Sequence, residues 1–301
     1  MKRFYGLRPA HSRPMNPAAG ENWIFSTQFH LMQIRATQAQ LPTSATRLAA
    51  REMPTTRPVM RQRWAGLLFL HWPVDPALIQ ARLPHGLFVD TFEGQAWLGA
   101  VPFFMEKVRP VMLPPVPWLS WFHELNLRTY VHDAQGRPGV WFFSLDCNQP
   151  IAVEIAKRFF HLPYQHASMK SDRQGNQIHY SSRRKTADAA NAEFRYEEAT
   201  HTMPAAEGSL EWFLVERYLL FSSNRQGDLW IGKVHHAPYR ISEAVCPLWS
   251  TEPLRLEGFE IPTTAPPSML VAEPVEVTIY PLVKTWYAPS GNVSQRHSSP
   301  A

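Results

Sequence analysis

The amino-acid sequence predicts a mainly antiparallel α+β domain with a barrel-like sheet over residues 61–285. Short apolar or alternating segments recur along this region between turn residues, a pattern typical of all-β sandwiches and barrels. The chain has 28 prolines against 14 glycines, which suits short strands and stiff loops better than a helical bundle. Apolar residues make up 45% of the chain and aromatic residues 12%, so a large core can form.

The basic charge of the chain is concentrated at its N-terminus. Residues 1–63 contain ten Lys or Arg and two acidic residues, whereas the net charge of the whole chain is +5. The remainder is therefore slightly acidic, which argues against nucleic acid as a partner. Apart from a weak helical pattern over 33–51, residues 1–60 lack periodicity and predict a disordered basic extension. This extension is either a transit-peptide-like leader or the result of a start codon placed upstream of Met53 or Met60.

Two cysteines and several missing motifs narrow the class of protein. Cys147 and Cys246 lie far apart, with no Cys-x-x-Cys or paired-histidine pattern, which predicts a reducing, cytoplasmic location and no metal site. No run of about 18 apolar residues occurs, so no membrane partner is predicted. Glycine-rich phosphate loops, the nucleophile elbow of serine hydrolases and the His-Glu-x-x-His motif are also missing. We therefore predict no cofactor.

The first elements of the domain follow from apolar runs and turn residues. Trp64–Trp72 is continuously apolar, as expected for a strand buried on both faces. An Asp-Pro pair can begin a capped helix at 77–82. Segments 87–92 and 95–105 flank a Glu-Gly pair and predict a hairpin, and the prolines of 108–118 predict a rigid loop.

The strand 122–131 alternates between polar and apolar residues, and the strand 139–146 follows it after a turn. Proline at the first position predicts the helix 150–160. The same kinds of signal predict the remaining elements, which are a meander of strands at 165–172, 176–184 and 191–198, a helix at 210–221, strands at 228–236 and 271–281, and a flexible tail at 286–301.

Several sequence blocks, in order, carry a resemblance to a known family. They are Pro73-Val-Asp-Pro-x-Leu78, Arg82-Leu-Pro, Glu124-Leu-Asn-Leu-Arg-Thr-Tyr130, Pro138-Gly-Val-Trp-Phe-Phe-Ser-Leu-Asp146, Leu162-Pro-Tyr164 and His236-Ala-Pro-Tyr239. Through them the chain resembles a YqjF-like family of bacterial proteins of unknown function, within the acetoacetate decarboxylase-like superfamily. The resemblance implies a closed barrel or cone with a second wrapped sheet and two or three short helices. It implies no established reaction.

The segment after helix 150–160 resembles the active-site segment of the decarboxylases. Those enzymes carry Arg-Glu-x-x-Gly-x-Pro-Lys, and the lysine forms a Schiff base with a ketone. The matching positions here are Lys157, Arg158, His161, Pro163 and Tyr164. The resemblance therefore implies a retained scaffold with a tyrosine in place of the nucleophile. A phenol cannot form an imine, but it can donate a proton or stabilise an oxyanion.

The strand 122–131 carries the other candidate site residues. Glu124, Asn126, Arg128 and Tyr130 share one face, which either lines a wet cavity or faces solvent. The superfamily has a catalytic glutamate about forty residues before its lysine, and Glu124 has the same spacing from Tyr164. This spacing favours the inward orientation. Glu124 could then act as an acid or base, and Arg128 could hold a carboxylate.

Two further residues are candidates for ligand binding by resemblance alone. His236 belongs to a matching block and could reach the cavity, or it could be a hydrogen-bonded structural histidine. Arg63 is the nearest candidate for an arginine that the superfamily enzymes use near their first strand. A second superfamily glutamate falls at 98–101, where this chain has no acid, and this puts decarboxylation in doubt.

Two hypotheses for function remain. The first is a protein with a small-molecule pocket that binds a small carbonyl compound or carboxylic acid and lacks the Schiff-base lysine. The second is an enzyme of lyase or isomerase type that acts on a small keto or carboxylic acid by acid–base chemistry. Under both, the partner is a small molecule, and assembly into a homo-oligomer stays open.

Overall fold

The computed structural model describes residues 39–285, which from Gln40 onward belong to one compact unit. The strands in this part of the chain are β1 (Met60–Ala65), β2 (Leu67–Val74), β3 (Leu87–Val89), β4 (Ala96–Pro110), β5 (Phe122–Asp133), β6 (Pro138–Cys147), β7 (Tyr164–Gln174), β8 (Gln177–Arg184), β9 (Ala192–Glu197), β10 (Met203–Pro204), β11 (Leu219–Ser223), β12 (Leu229–His236), β13 (Arg240–Glu243), β14 (Ser268–Ala272), β15 (Val275–Ile279) and β16 (Val283–Lys284). The helices are α1 (Ser44–Ala49), α2 (Pro76–Gln80), α3 (Pro150–Phe160), α4 (Leu210–Val215) and α5 (Glu252–Leu256). None of these helices is long and apolar enough to cross a membrane.

The central strands pair in a closed ring. In order around the ring they are β4, β1, β15, β12, β11, β6 and β5, and β5 returns to β4. All of these pairs are antiparallel except β11 with β6, where α3, the meander and α4 intervene in the chain. The predicted fold class, a mainly antiparallel α+β closed sheet with short helices, is confirmed.

Further strands extend from the ring and wrap against it. Strands β7, β8 and β9 form the predicted antiparallel meander, which joins the ring through β6. Strands β10, β13 and β14 join through β2, which pairs with β4. Side chains alternate along β2, so Leu67 and Phe69 pack in one core cluster and Leu68 and Leu70 pack in another. Burial on both faces explains the continuous apolar run of this strand.

Gly66 interrupts the strand that the sequence predicted over Trp64–Trp72. Strands β1 and β2 follow the same edge of β4, with Ala65 opposite Phe104 and Leu70 opposite Ala100. Between these two pairs, the segment from β1 to β2 has one residue more than the facing segment of β4. Gly66 accommodates the extra residue with a φ of +56°. A Cβ atom at Gly66 would lie 2.5 Å from the Phe104 ring. The outer edge of β1 pairs with β15 and that of β2 with β14, so the kink directs the chain from the ring into the second sheet.

The structure corrects two predicted elements. The hairpin of 87–92 and 95–105 is wrong, because β3 pairs with β5 and only an isolated bridge joins Phe92 to Gln95. The helix predicted over 210–221 ends at Val215, after which the chain enters β11. Helix α3 matches its predicted bounds. Its N-cap Gln149 accepts from the backbone N–H of Ile151, and the left-handed His161 ends it.

The prediction that residues 1–60 form a disordered extension is wrong for residues 43–51. Residues 1–38 and the predicted tail 286–301 lie outside the described residues. A capping box at Thr43 begins α1. Arg47 forms a double hydrogen bond with Asp90 at 2.8 Å, and Arg51 pairs with Glu216 at 3.2 Å. Because both carboxylates are buried in the domain, this segment is part of the folded structure.

Candidate functional site

A cavity of about 380 Å³ lies inside the ring of strands. Its wall is mostly aliphatic and aromatic, and its polar members are Gln62, Arg109, Ser120, Glu124, Asn126, Arg128, Tyr164, Arg217 and Tyr239. Five of the lining residues are exposed to solvent, namely Pro110, Leu113, Pro114, Val116 and Ile155. They lie at the end of β4, in the loop before β5 and on α3, so the mouth of the cavity lies between this loop and this helix.

Strand β5 places a row of polar side chains on the cavity wall. Glu124, Asn126 and Arg128 line the cavity, whereas Leu125 and Leu127 pack in the core cluster on the other side of the sheet. The period of two along a strand produces this separation. The three polar residues are buried, so the alternative of a solvent-facing row does not describe the structure.

Glu124 and Tyr164 form the closest polar contact in the cavity wall. Pro163 directs Tyr164 into β7 beside Leu145, and its hydroxyl donates to the Glu124 Oε2 atom at 2.6 Å. Burial raises the pKa of Glu124 to about 7, although hydrogen bonds from Tyr164 and Asn126 oppose the shift. Burial and the neighbouring Glu124 raise the pKa of Tyr164 well above its ordinary value. This phenol is therefore a neutral donor beside a carboxyl group that can gain or lose a proton near pH 7.

The other residues of the superfamily-like segment do not reach this pair. Lys157 and Arg158 are exposed on α3, as expected for a surface pair. Their charges therefore do not lower the pKa of Tyr164. Of residues 39–285, no lysine contributes to the cavity wall, and no group of three or more His, Cys, Asp or Glu could hold a metal ion.

Arg128 is a buried cation that has no carboxylate partner among the described residues. Its side chain is only 8% exposed, and its Nη2 atom donates to the Leu214 carbonyl at 3.1 Å and to the Tyr130 hydroxyl at 3.3 Å. Its guanidinium lies 5.2 Å from the centre of the Phe69 ring. Within the described part of the chain no acidic side chain is within ion-pair distance of Arg128, and its Nε–H has no hydrogen-bond partner. The cavity wall therefore presents an uncompensated positive charge.

A second buried arginine adds to this positive charge. Arg217 lines the cavity and forms a salt bridge of 2.7 Å with Asp90, which also accepts hydrogen bonds from Arg47. Burial by itself would raise the pKa of Asp90, but Arg217 and Arg47 lower it below the ordinary value. Arg217 and Arg128 both lie against the Tyr130 ring, at 4.9 and 5.6 Å. Arg217 and Arg47 thus share the ionised Asp90 carboxylate, whereas Arg128 at the same end of the cavity has no such partner among the described residues.

Three predicted ligand-binding residues, Tyr130, His236 and Arg63, do not line the cavity, and these predictions are corrected. Tyr130 is fully buried and donates or accepts a hydrogen bond of 2.6 Å with His71. His236 on β12 is buried, and its ring nitrogens contact the backbone carbonyls of Ala237 and Arg217. Arg63 pairs with Glu106 and Glu276, because alternation along β1 points its neighbours Gln62 and Trp64 inward.

Sequence reasoning missed Arg217, Gln62 and Tyr239 as cavity residues. Arg217 fell in a predicted helix, where a charged residue is normally solvated. The available signal was its position within an otherwise apolar segment, because a charged residue there has to be buried or paired. Gln62 lay just after the predicted extension 1–60 and before the β-rich pattern that begins at Arg63. Tyr239 belonged to a matching block, from which only His236 was chosen as a candidate.

Comparison with known proteins assigns the family. A model of the DUF2071 family, described as an uncharacterized conserved protein, matches residues 61–276. The chain belongs to this family. The "Uncharacterized protein YqjF" of Bacillus subtilis (strain 168) is 38% identical over 226 residues, which is 75% of this chain and 92% of that protein. The predicted family membership is therefore confirmed, and α1 with Arg47 precedes the family match.

Solved structures of the acetoacetate decarboxylase-like fold resemble this member of the family. An acetoacetate decarboxylase from Legionella pneumophila has a TM-score of 0.53 at 14% identity, covering 79% of this chain and 94% of that one. The enduracididine biosynthesis enzyme MppR, in complex with a condensation product of pyruvate, has a TM-score of 0.53 at 12% identity, covering 76% and 90%. At such identities the likeness shows the fold alone.

Proposed function

We propose that the protein binds a small carboxylic acid or keto acid in the cavity, with the carboxylate of the ligand on Arg128. The observation that carries this proposal is the buried guanidinium of Arg128, which has no acidic partner among residues 39–285. An unpaired buried charge costs several kcal/mol, and a bound carboxylate would offset this cost by charge-assisted hydrogen bonds. Arg217, with a free Nη2 group, adds to the attraction for an anion.

The remaining polar atoms of the wall suit the second oxygen-bearing group of a keto acid. The Asn126 side-chain NH₂ group can donate a hydrogen bond to a keto oxygen. The Tyr164 hydroxyl donates to Glu124 in the ligand-free protein and can turn to a keto oxygen as its acceptor. Among the fold neighbours, MppR is named in complex with pyruvate, which supports an acid of this type. Because no lysine lines the cavity within 39–285, we propose binding without a Schiff base.

The test is to measure binding of pyruvate and acetoacetate by calorimetry and by the shift in melting temperature. We expect Arg128→Met to weaken binding about thirtyfold, since a hydrogen bond to a charged group contributes about 2 kcal/mol. The ligand-free variant should be at least as stable as the wild type, because the substitution removes a buried charge that has no ion pair among residues 39–285. Arg63→Met is the matched control, as Arg63 pairs outside the cavity, and equal binding by both variants would contradict the role of Arg128.

A second candidate function, acid–base catalysis on the same acid, is favoured by the contact between Glu124 and Tyr164. A carboxyl group with a pKa of about 7 can take a proton from carbon at neutral pH. Arg128 would hold the carboxylate, and Tyr164 would donate to the oxyanion that develops on the substrate carbonyl.

The test of this candidate is exchange of the carbon-bound protons of pyruvate in D₂O, followed by NMR above the uncatalysed rate. Catalysis predicts exchange that is lost in Glu124→Gln and strongly reduced in Tyr164→Phe, with binding of pyruvate retained. Binding without any acceleration of exchange would leave only the first function.

The two free, buried cysteines suit a reducing compartment, and we propose the cytoplasm.

A further inference from the structure

The exposure of the lining residues defines the long axis of the cavity. At the mouth, Leu113 and Val116 are about half exposed, whereas Phe69 and Val101 in the wall are fully buried. Strand β5 runs inward from the mouth loop, so Glu124 lies nearer the mouth and Arg128 nearer the floor. At about 3.3 Å per residue, the four steps between them correspond to about 13 Å along the strand.

The cavity is too large and too apolar for a short acid alone. Its volume of about 380 Å³ lies in the range of pockets that hold drug-sized ligands, roughly 300–1,000 Å³. A three- or four-carbon acid held by Arg128 would leave most of this space unfilled. The space nearer the mouth is walled by Leu162, Phe160 and Ala156, together with aliphatic side chains of the mouth loop. Apart from Gln62, Ser120 and the half-buried Arg109 beside the mouth loop, this part of the wall is apolar and favours an apolar group over a hydrophilic one.

We propose that the ligand is an amphipathic monocarboxylic acid whose carboxylate lies at Arg128 and whose apolar tail, roughly six to ten carbon atoms long, extends toward the mouth. This inference rests on the proposed function and specifies the chemical class of its ligand. The tail would pass Glu124 and Tyr164, contact the aliphatic wall, and end between α3 and the mouth loop. Because the carboxylate of the ligand stays at the floor of the cavity, each methylene added to the tail buries new apolar surface until the tail reaches solvent.

The polar pair beside this path is compatible with a tail. The Tyr164 hydroxyl is satisfied by Glu124 at 2.6 Å, so it does not need a ligand atom as its partner. A Glu124 carboxyl group that keeps its proton is neutral and does not repel an apolar chain. The exposed apolar side chains at the mouth, among them Met112, Trp118 and Ile155, also favour passage of an apolar group over that of a hydrophilic one.

The experiment is a calorimetric titration with straight-chain acids of two to twelve carbons, each below its micellar concentration. We expect the dissociation constant to fall about three- to fourfold for each added methylene and to level off at eight to ten carbons, because burial of a CH₂ group contributes about 0.8 kcal/mol. Affinity independent of chain length, or highest for acids of two to four carbons, would overturn the tail while leaving the carboxylate site intact. Failure of every acid to bind would overturn the proposed function as well.

A filled-cavity variant separates the tail region from the carboxylate region. Ala156→Phe, on the cavity face of α3, should weaken binding of octanoate at least tenfold and leave binding of butyrate within about twofold. Ile151→Phe is the matched control, because Ile151 lies on the same helix but outside the cavity wall. Should Ala156→Phe fail to fold, Val116→Ser at the exposed mouth tests the same contact, with an expected loss of affinity for decanoate but not for butyrate. Unchanged binding of the long acids in both variants would contradict the inference.

Discussion

Replacing Asp90 by Asn is expected to lower the free energy of unfolding by about 3–5 kcal/mol, the largest effect of any single substitution discussed for this protein. Asp90 is buried and forms salt bridges with Arg217 at 2.7 Å and with Arg47 at 2.8 Å. Without the carboxylate, Arg217 becomes an uncompensated charge inside the domain, since its side chain is only 2% exposed. Urea unfolding at pH 7 measures the loss.

The surface pair of Arg173 with Glu198 provides the control for this prediction. Both side chains are more than 40% exposed, so Glu198→Gln should cost less than about 1 kcal/mol. The effect of Asp90→Asn also depends on pH in a defined direction. The folded-state pKa of Asp90 is lowered, so its contribution is present at neutral pH and is lost as the pH falls through that pKa. Wild type and variant should therefore converge in acid, and equal stability at pH 7 would contradict the role of this carboxylate.

Replacing Glu124 by Gln is expected to make the ligand-free protein more stable at pH 8, by about 3 kcal/mol. The folded protein holds the Glu124 proton up to a pKa of about 7, whereas the unfolded chain releases it near 4.5. Between these values the folded state binds more protons, so the stability of the wild type falls as the pH rises. Each pKa unit corresponds to 1.36 kcal/mol. Glutamine stays neutral at every pH and can still accept from the Tyr164 hydroxyl.

The measurement is the free energy of unfolding of both proteins at pH 4.5, 6 and 8. The two should be similar at pH 4.5, and the advantage of Glu124→Gln should grow toward pH 8. Glu106→Gln is the control, because Glu106 is partly exposed and pairs with Arg63, so its loss should give no stabilisation at pH 8. A Glu124→Gln protein that is less stable than the wild type at pH 8 would indicate that the ionised carboxylate is fully satisfied in the fold.

Local signals predicted those elements whose formation depends on neighbouring residues. Helix α3 was predicted at its observed bounds because a first-turn proline and a change of pattern mark it. The meander β7–β9 was predicted because its strands follow one another along the chain and a short turn joins β7 to β8. The kink at Gly66 and the pairing of β3 with β5 were not predicted, since each depends on partners distant in sequence. Alternation of polar residues identified Glu124 and Arg128, but it could not distinguish the inside of a barrel from its surface.

By itself the sequence determined the family, the antiparallel class of the fold and the polar face of β5, because motifs, strand period and turn residues are local properties of the chain. Only the tertiary structure decided what that face encloses. Closure of the ring turned Glu124 and Arg128 inward, brought Tyr164 to 2.6 Å from Glu124, and placed Arg217 beside the cavity while Arg63 and His236 lie elsewhere. Burial then shifted the pKa of Glu124 and left Arg128 without a counter-ion among residues 39–285, since both effects arise from surroundings that distant segments assemble.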